Sequence, residues 1–121
     1  MPISTYERKL APAGDVTFCW VRWQGPASYT QMTFNPVAGG DQVNAQAFGI
    51  SVLELVWPTN SLTGNFSVVQ YRISDKLWAL KWISNVTATV GGQSQTAGSE
   101  AAAGTNLSAE YCKLEIEAFA G

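Results

Sequence analysis

Apolar positions in this chain recur mostly at every second residue, the period of a half-buried strand and not of a helix. The alternation is cleanest over residues 110–119, where Cys112, Leu114, Ile116 and Ala118 interleave with Tyr111, Lys113, Glu115 and Glu117. The first set is predicted to face a core and the second to face solvent. Residues 65–84 predict two strands joined by a tight turn. Phe66, Val68 and Ile73 supply β-branched and aromatic bulk, and Leu77 to Ile83 is almost continuously apolar. Ser74-Asp75 between them is turn chemistry, because short side-chain oxygens bond the nearby backbone. On the second strand Trp78, Leu80 and Trp82 share one face, and Leu77, Ala79, Lys81 and Ile83 the other. A lone hairpin is marginal in water, so this pair is expected in the middle of a larger sheet.

The remaining chain extends the pattern. Residues 15–23 read as a strand with Val16, Phe18, Trp20 and Arg22 on one face and Thr17, Cys19, Val21 and Trp23 on the other. Gln24-Gly25-Pro26 breaks it, and residues 27–34 are expected to return beside it as a second hairpin. Residues 41–48 carry the one short helical look, capped by Asp41 or Asn44 and ended by Gly49. Residues 50–57 predict a strand with Ile50, Val52, Glu54 and Val56 opposite Leu53, Leu55 and Trp57, stopped by Pro58. A short strand is expected at 86–90. Residues 91–104, GGQSQTAGSEAAAG, have too little apolar bulk to fix themselves and predict a mobile loop. Residues 1–14, with Pro2, Pro12 and Gly14 and no clear period, read as an extended arm ahead of a domain spanning 15–121. The sum is an all-β protein: an antiparallel β-sandwich, jelly-roll-like or Ig-like, of seven or eight strands with one short helical turn.

Composition narrows the chemistry. Charged residues are 13% and apolar residues 46% of 121, against a usual charged quarter. A low-charge surface fits either packing on partners or a coat of Ser, Thr, Asn and Gln. The net charge is −2 with seven basic residues, of which Arg8 and Lys9 alone are adjacent; this argues against a nucleic-acid footprint. No apolar run is long enough to span a membrane as a helix. The opening MPISTYERKL lacks a signal-peptide core, so synthesis in a cytoplasm is expected. The two cysteines, Cys19 and Cys112, read as buried thiols or, if their strands are neighbours, a disulfide.

There is no histidine, which removes Ser-His and Cys-His nucleophilic catalysis. Glu115 and Glu117 lie on one strand face about 7 Å apart by strand rise, but that face reads as solvated. Asp75 with Asp41 or Glu54 offers no ligand-dense calcium loop. The Gly39-Gly40 and Gly91-Gly92 pairs lack the context and the lysine of a phosphate loop. No cofactor, metal or catalytic group is expected, and the chain does not read as an enzyme. The five tryptophans, Trp20, Trp23, Trp57, Trp78 and Trp82, carry more information. Core packing accounts for about three, since both faces of a two-layer sheet cannot be buried. The rest belong at a subunit interface, where aromatic anchors concentrate, or on a sugar-stacking platform.

Four stretches share their order with a known group of proteins. MTFNPVAGGD (32–41) resembles a strand followed by a Gly-Gly loop, and VNAQAFGI (43–50) a short helical turn before a strand. YRISDKLWAL (71–80) resembles a hairpin around Lys-Leu, and AGTNLSAEYCKLEIEAFAG (103–121) a closing loop, last strand and final glycine. Together they resemble the small head decoration, or cement, proteins of tailed bacteriophages. The resemblance implies a β-sandwich on the outside of an icosahedral capsid, made in the bacterial host cytoplasm, partnered with the major capsid protein and stabilising its lattice. The expected partner interface is Tyr6 as an anchor, Arg8 and Lys9 on an acidic surface, and Trp20, Trp23, Trp57, Trp78 and Trp82. A homo-oligomer is expected, a trimer before a dimer, because three-fold symmetry matches local axes of a shell. The alternative is a carbohydrate-binding β-sandwich module, such as one carried on a virion surface.

Overall fold

The computed structural model describes residues 3–10, 16–48 and 52–119. In chain order the strands are β1 (Ile3–Leu10), β2 (Val16–Gln24), β3 (Thr33–Phe34), β4 (Val37–Ala38), β5 (Asp41–Asn44) and β6 (Val52–Pro58), then β7 (Phe66–Ser74), β8 (Leu77–Ser84), β9 (Thr89–Val90), β10 (Gln93–Ser94) and β11 (Tyr111–Phe119). The helical content among the described residues is one 3-10 turn, Ala45–Phe48, at whose start Asn44 Oδ1 accepts the Gln46 N–H at 2.9 Å. Every strand pairing among the described residues is antiparallel. There is a four-stranded sheet in the order β1-β2-β11-β6, a three-stranded sheet β5-β8-β7, and the two short ribbons β3-β4 and β9-β10. The fold is all-β, as the period-two pattern predicts.

Both larger sheets feed one buried cluster. Val21, Trp23, Leu53, Val56, Cys112, Leu114 and Ile116 come from the four-stranded sheet, and Val43, Phe66, Val68, Trp78, Leu80 and Trp82 from the three-stranded one. Burying each such side chain contributes roughly 1.5–3 kcal/mol. The last strand behaves as its alternation predicts. It sits between β2 and β6, with Cys112, Leu114 and Ile116 buried and Lys113 and Glu115 exposed. The β7–β8 hairpin also matches, with Trp78, Leu80 and Trp82 inward and β8 central to its sheet.

Five segments depart from the expected pattern, each for a local reason. Residues 3–10 are not a separate arm: β1 runs along β2 from Ile3 opposite Trp23 to Leu10 opposite Thr17. The free side of β2 carries backbone groups that require partners, and a polar strand at the sheet edge supplies them. Residues 1–2 and 11–15, the remainder of the expected arm apart from its boundary with the domain, lie outside the described residues. Residues 27–34 do not pair with β2, whose two sides are taken by β1 and β11. They cross the molecule instead, burying Tyr29 and Met32. The chain turns away at Gly25, where a Cβ would lie 2.5 Å from the Leu107 carbonyl oxygen.

Residues 41–44 are a strand and not a helical start. Asp41, Val43 and Ala45 are buried while Gln42 and Asn44 are exposed, a period of two within the apparent helical stretch. In β6 the alternation slips. Leu55 faces Glu117 and Leu53 faces Ala118, so Glu54 is an extra residue in a β-bulge. Leu53 and Val56 are therefore buried together, whereas Leu55 and Trp57 point outward. Residues 91–104 are held by polar contacts along their length, where the composition predicts a mobile loop. Ser84 N–H donates to Ser99 O, Ala101 N–H to Trp82 O, and Gly104 N–H to Tyr29 O.

Candidate functional site

The residues expected to form a partner interface divide into three groups. Trp23, Trp78 and Trp82 are 0%, 8% and 0% exposed, so they are core and not interface. The cause is register: all three sit on inward positions of β2 and β8, and each indole N–H finds an acceptor inside. Trp78 Nε1 donates to the Leu53 carbonyl at 3.1 Å, while Trp23 and Trp82 donate to Asp41. Tyr6, Arg8 and Lys9 lie on β1, opposite Val21, Cys19 and Phe18; their side chains fall outside the described residues. Trp20 and Trp57 reach the surface, 40% and 57% exposed.

The two exposed tryptophans share the outer face of the four-stranded sheet. Glu115 on β11 stands opposite Trp20 on β2 and opposite Trp57 on β6, giving a row across three strands. The two residues are therefore two strand spacings, about 10 Å, apart. Further along this face Arg22 stands opposite Lys113, and the guanidinium of Arg22 lies 4.4 Å from the centre of the Tyr111 ring. Leu55 stands beside Glu117 on the other side. Along the β6 margin the exposed large apolar side chains are Leu55, Trp57 and, just past the strand, Leu62. The loop carrying Leu62 stays on this margin because Thr59 N–H and Leu62 N–H donate to Lys113 O and Tyr111 O of β11.

Strand β6 is bonded to β11 on one side, and no strand among the described residues pairs with its other side. Among the described residues, the Leu53 N–H on that side donates to Asp75 O at 2.7 Å. Asp75 itself pairs with Arg72 across the β7–β8 turn. Asp75, Asp41 and Glu54 are thus separated in role. Among the described residues no group of three acidic, cysteine or histidine side chains lies close enough to hold a metal ion. Cys112 is a buried free thiol facing Trp23, and Cys19 stands opposite Ile116.

Of the two caps that the sequence offers for the helical turn, Asn44 takes that place and Asp41 instead points inward from β5. Asp41 is 1% exposed. Its Oδ2 accepts Trp23 Nε1–H at 2.8 Å and Trp82 Nε1–H at 3.0 Å, so one oxygen joins an indole from each sheet. Its Oδ1 is buried with no hydrogen-bond partner among the described residues. Burial disfavours the charge and pushes the carboxyl up to about 7, with the two indole bonds opposing the shift. The same burial pushes the Cys112 thiol up to about 12, assisted by the charge of Asp41. It also raises the Tyr29 hydroxyl, which donates to Glu100 Oε2 at 2.8 Å. The signal that could have located Asp41 is the inward alternation Asp41, Val43, Ala45.

Comparisons with protein-family models, with curated proteins and with solved structures each gave no match.

Proposed function

We propose that this protein is a structural virion protein that decorates and stabilises the outer surface of a phage capsid. It binds the major capsid protein on assembled shells in the bacterial host cytoplasm, and it acts as a homo-oligomer, a trimer before a dimer. The observation that carries this reading is the apolar margin of Leu55, Trp57 and Leu62 along an edge strand. An unpaired edge lined with large apolar groups is a liability in a free monomer, because it invites another chain to pair or pack. A partner that covers it removes the liability and gains the burial, and the same contact repeats across a lattice. The resemblance of residues 32–121 to decoration proteins supports the choice of a capsid as that partner.

A direct test mixes the purified protein with undecorated capsids and sediments them. Wild type is expected in the pellet, and Trp57→Asp in the supernatant, with both variants melting at similar temperatures. The change places a charge at the centre of the contact, and truncating or disrupting such an aromatic anchor costs about 2 kcal/mol or more, some thirtyfold in affinity. Wild type remaining in the supernatant at tens of micromolar defeats the reading. Light scattering of the free protein tests the oligomer, and a monomer that stays monomeric with capsid present counts against that part.

A second reading rests on the row Trp20, Glu115, Trp57. Two exposed indoles in register with a carboxylate between them suit a ligand with apolar ring faces and hydroxyl donors, as in a carbohydrate-binding module. Retention on a glycan array, lost in Trp57→Ala, favours this alternative over capsid attachment.

A further inference from the structure

We propose that Asp41 and the two indoles it joins form a proton-operated latch between the sheets, in which the protonated carboxyl ties the sheets without burying a charge, whereas the ionised one costs stability because its desolvation outweighs the stronger bonds to the indoles. Trp23 lies on β2 of the four-stranded sheet, and Trp82 on β8 of the three-stranded one. Asp41 begins β5, which pairs with β8 through Asp41 opposite Leu80. One side chain thus ties the inner layers of both sheets at a single oxygen. The neutral carboxyl fills this place without burying a charge. The carboxylate has two N–H donors on Oδ2 and none on Oδ1, and a charge in this setting is stabilised far less than in water. The single ion pair among the described residues, Arg72 with Asp75, is elsewhere at the exposed β7–β8 turn.

Among the described residues, the titratable groups that feel the charge of Asp41 are Tyr29 and Cys112. Both are pushed upward by burial, away from neutrality, so neither titrates between pH 5 and pH 8. Asp41 also borders an open surface cavity of about 370 Å³ with Ser28, Thr30, Gly39 and Gly40.

The sign of the effect follows from linkage. The folded-state value, about 7, lies above the ordinary aspartate value of the unfolded chain. The folded state therefore holds the proton more tightly, and stability is fully present below the unfolded value and lost as pH rises through about 7. Between pH 5 and pH 8 the folding equilibrium constant should fall on the order of a hundredfold from this group alone. The test is urea unfolding of wild type and Asp41→Asn across that range, read by far-ultraviolet circular dichroism. The difference between the two proteins should change by about that factor, with wild type losing more stability toward pH 8. Should Asp41→Asn not fold, the side-chain carboxyl carbon resonance of Asp41 in wild type decides. It should titrate near pH 7, and the near-ultraviolet dichroism of the two indoles should change over the same range. A midpoint below pH 5, or parallel pH profiles for the two proteins, overturns the latch.

Discussion

Replacing Trp82 with alanine is expected to remove most of the stability of this protein. The side chain is fully buried. Its ring meets Phe66 edge-on at 6.0 Å, and its Nε1–H donates to Asp41 at 3.0 Å. Truncating a buried tryptophan costs about 3–5 kcal/mol through lost transfer energy and the cavity left behind. Losing one of the two donors to Asp41 Oδ2, which keeps Trp23 Nε1–H, adds about 0.5–1.5 kcal/mol. The sum is comparable to the entire stability of a typical domain, about 5–15 kcal/mol. Trp57→Ala removes an indole of the same size from a site that is 57% exposed. It should shift stability by about 0.5 kcal/mol or less, the usual range for surface changes. Urea midpoints from far-ultraviolet dichroism compare the two directly, without relying on tryptophan emission. Equal midpoints for the two variants would mean that the assignment of β8 to the core is mistaken.

The contrast between Trp82 and Trp57 also marks how far the sequence was legible. The strands at 66–74, 77–84 and 111–119 were readable because each is long, alternates or is richly apolar, and is bounded by turn residues. On β2 the expected separation of Trp20 from Val21 and Trp23 holds, since no irregularity interrupts its pairing with β11. On β6 the faces were not readable. A bulge adds one residue to one strand only, and nothing in LELVW announces it. That one slip moves Leu53 to the inner face beside Val56 and leaves Leu55 and Trp57 outward, as the apolar margin on which the capsid reading rests. Asp41 was hidden by a different effect. A lone acid before a small-residue stretch looks like a cap, and only the tertiary approach of two indole N–H groups gives an inward carboxyl its hydrogen bonds. The short strand β5 and the edge strand β1 were missed because four polar-alternating residues, or eight without apolar period, carry weak local signals. Their strand character comes from the neighbours that need their hydrogen bonds.

The second large effect is expected at Gln95, which fixes a segment that composition alone marks as loose. Residues 91–104 contain almost no apolar bulk, yet Gln95 is 3% exposed. Its Nε2 donates to Thr105 Oγ1 at 2.9 Å, to Val90 O at 3.2 Å and to Gln93 O at 3.3 Å. Its Oε1 accepts the Ala102 N–H at 3.0 Å. One side chain thus ties the β9–β10 ribbon to the return of the chain toward β11. Gly91 makes the close approach possible, with φ at +61° and the position of a Cβ only 2.3 Å from Asn106 O. Glu100 anchors the far end, its Oε2 accepting from Tyr29 OH and from Met32 N–H, each at 2.8 Å. Gln95→Ala leaves the Ala102 N–H without its acceptor and the carbonyls of Val90 and Gln93 without this donor. These groups are partly buried or exposed, so each lost bond costs about 0.5–1.5 kcal/mol, and the buried Thr105 hydroxyl also loses a donor. The loss should be local, since β8 and β11 keep their own ladders. Amide exchange across 91–104 should therefore accelerate by about ten- to a hundredfold, at about 1.4 kcal/mol per tenfold. Exchange in β8 and β11 should change much less. Fast exchange throughout this segment in wild type would show that composition was the better guide. Unchanged exchange in Gln95→Ala would show that the Glu100 anchor and the backbone bonds hold the segment without Gln95.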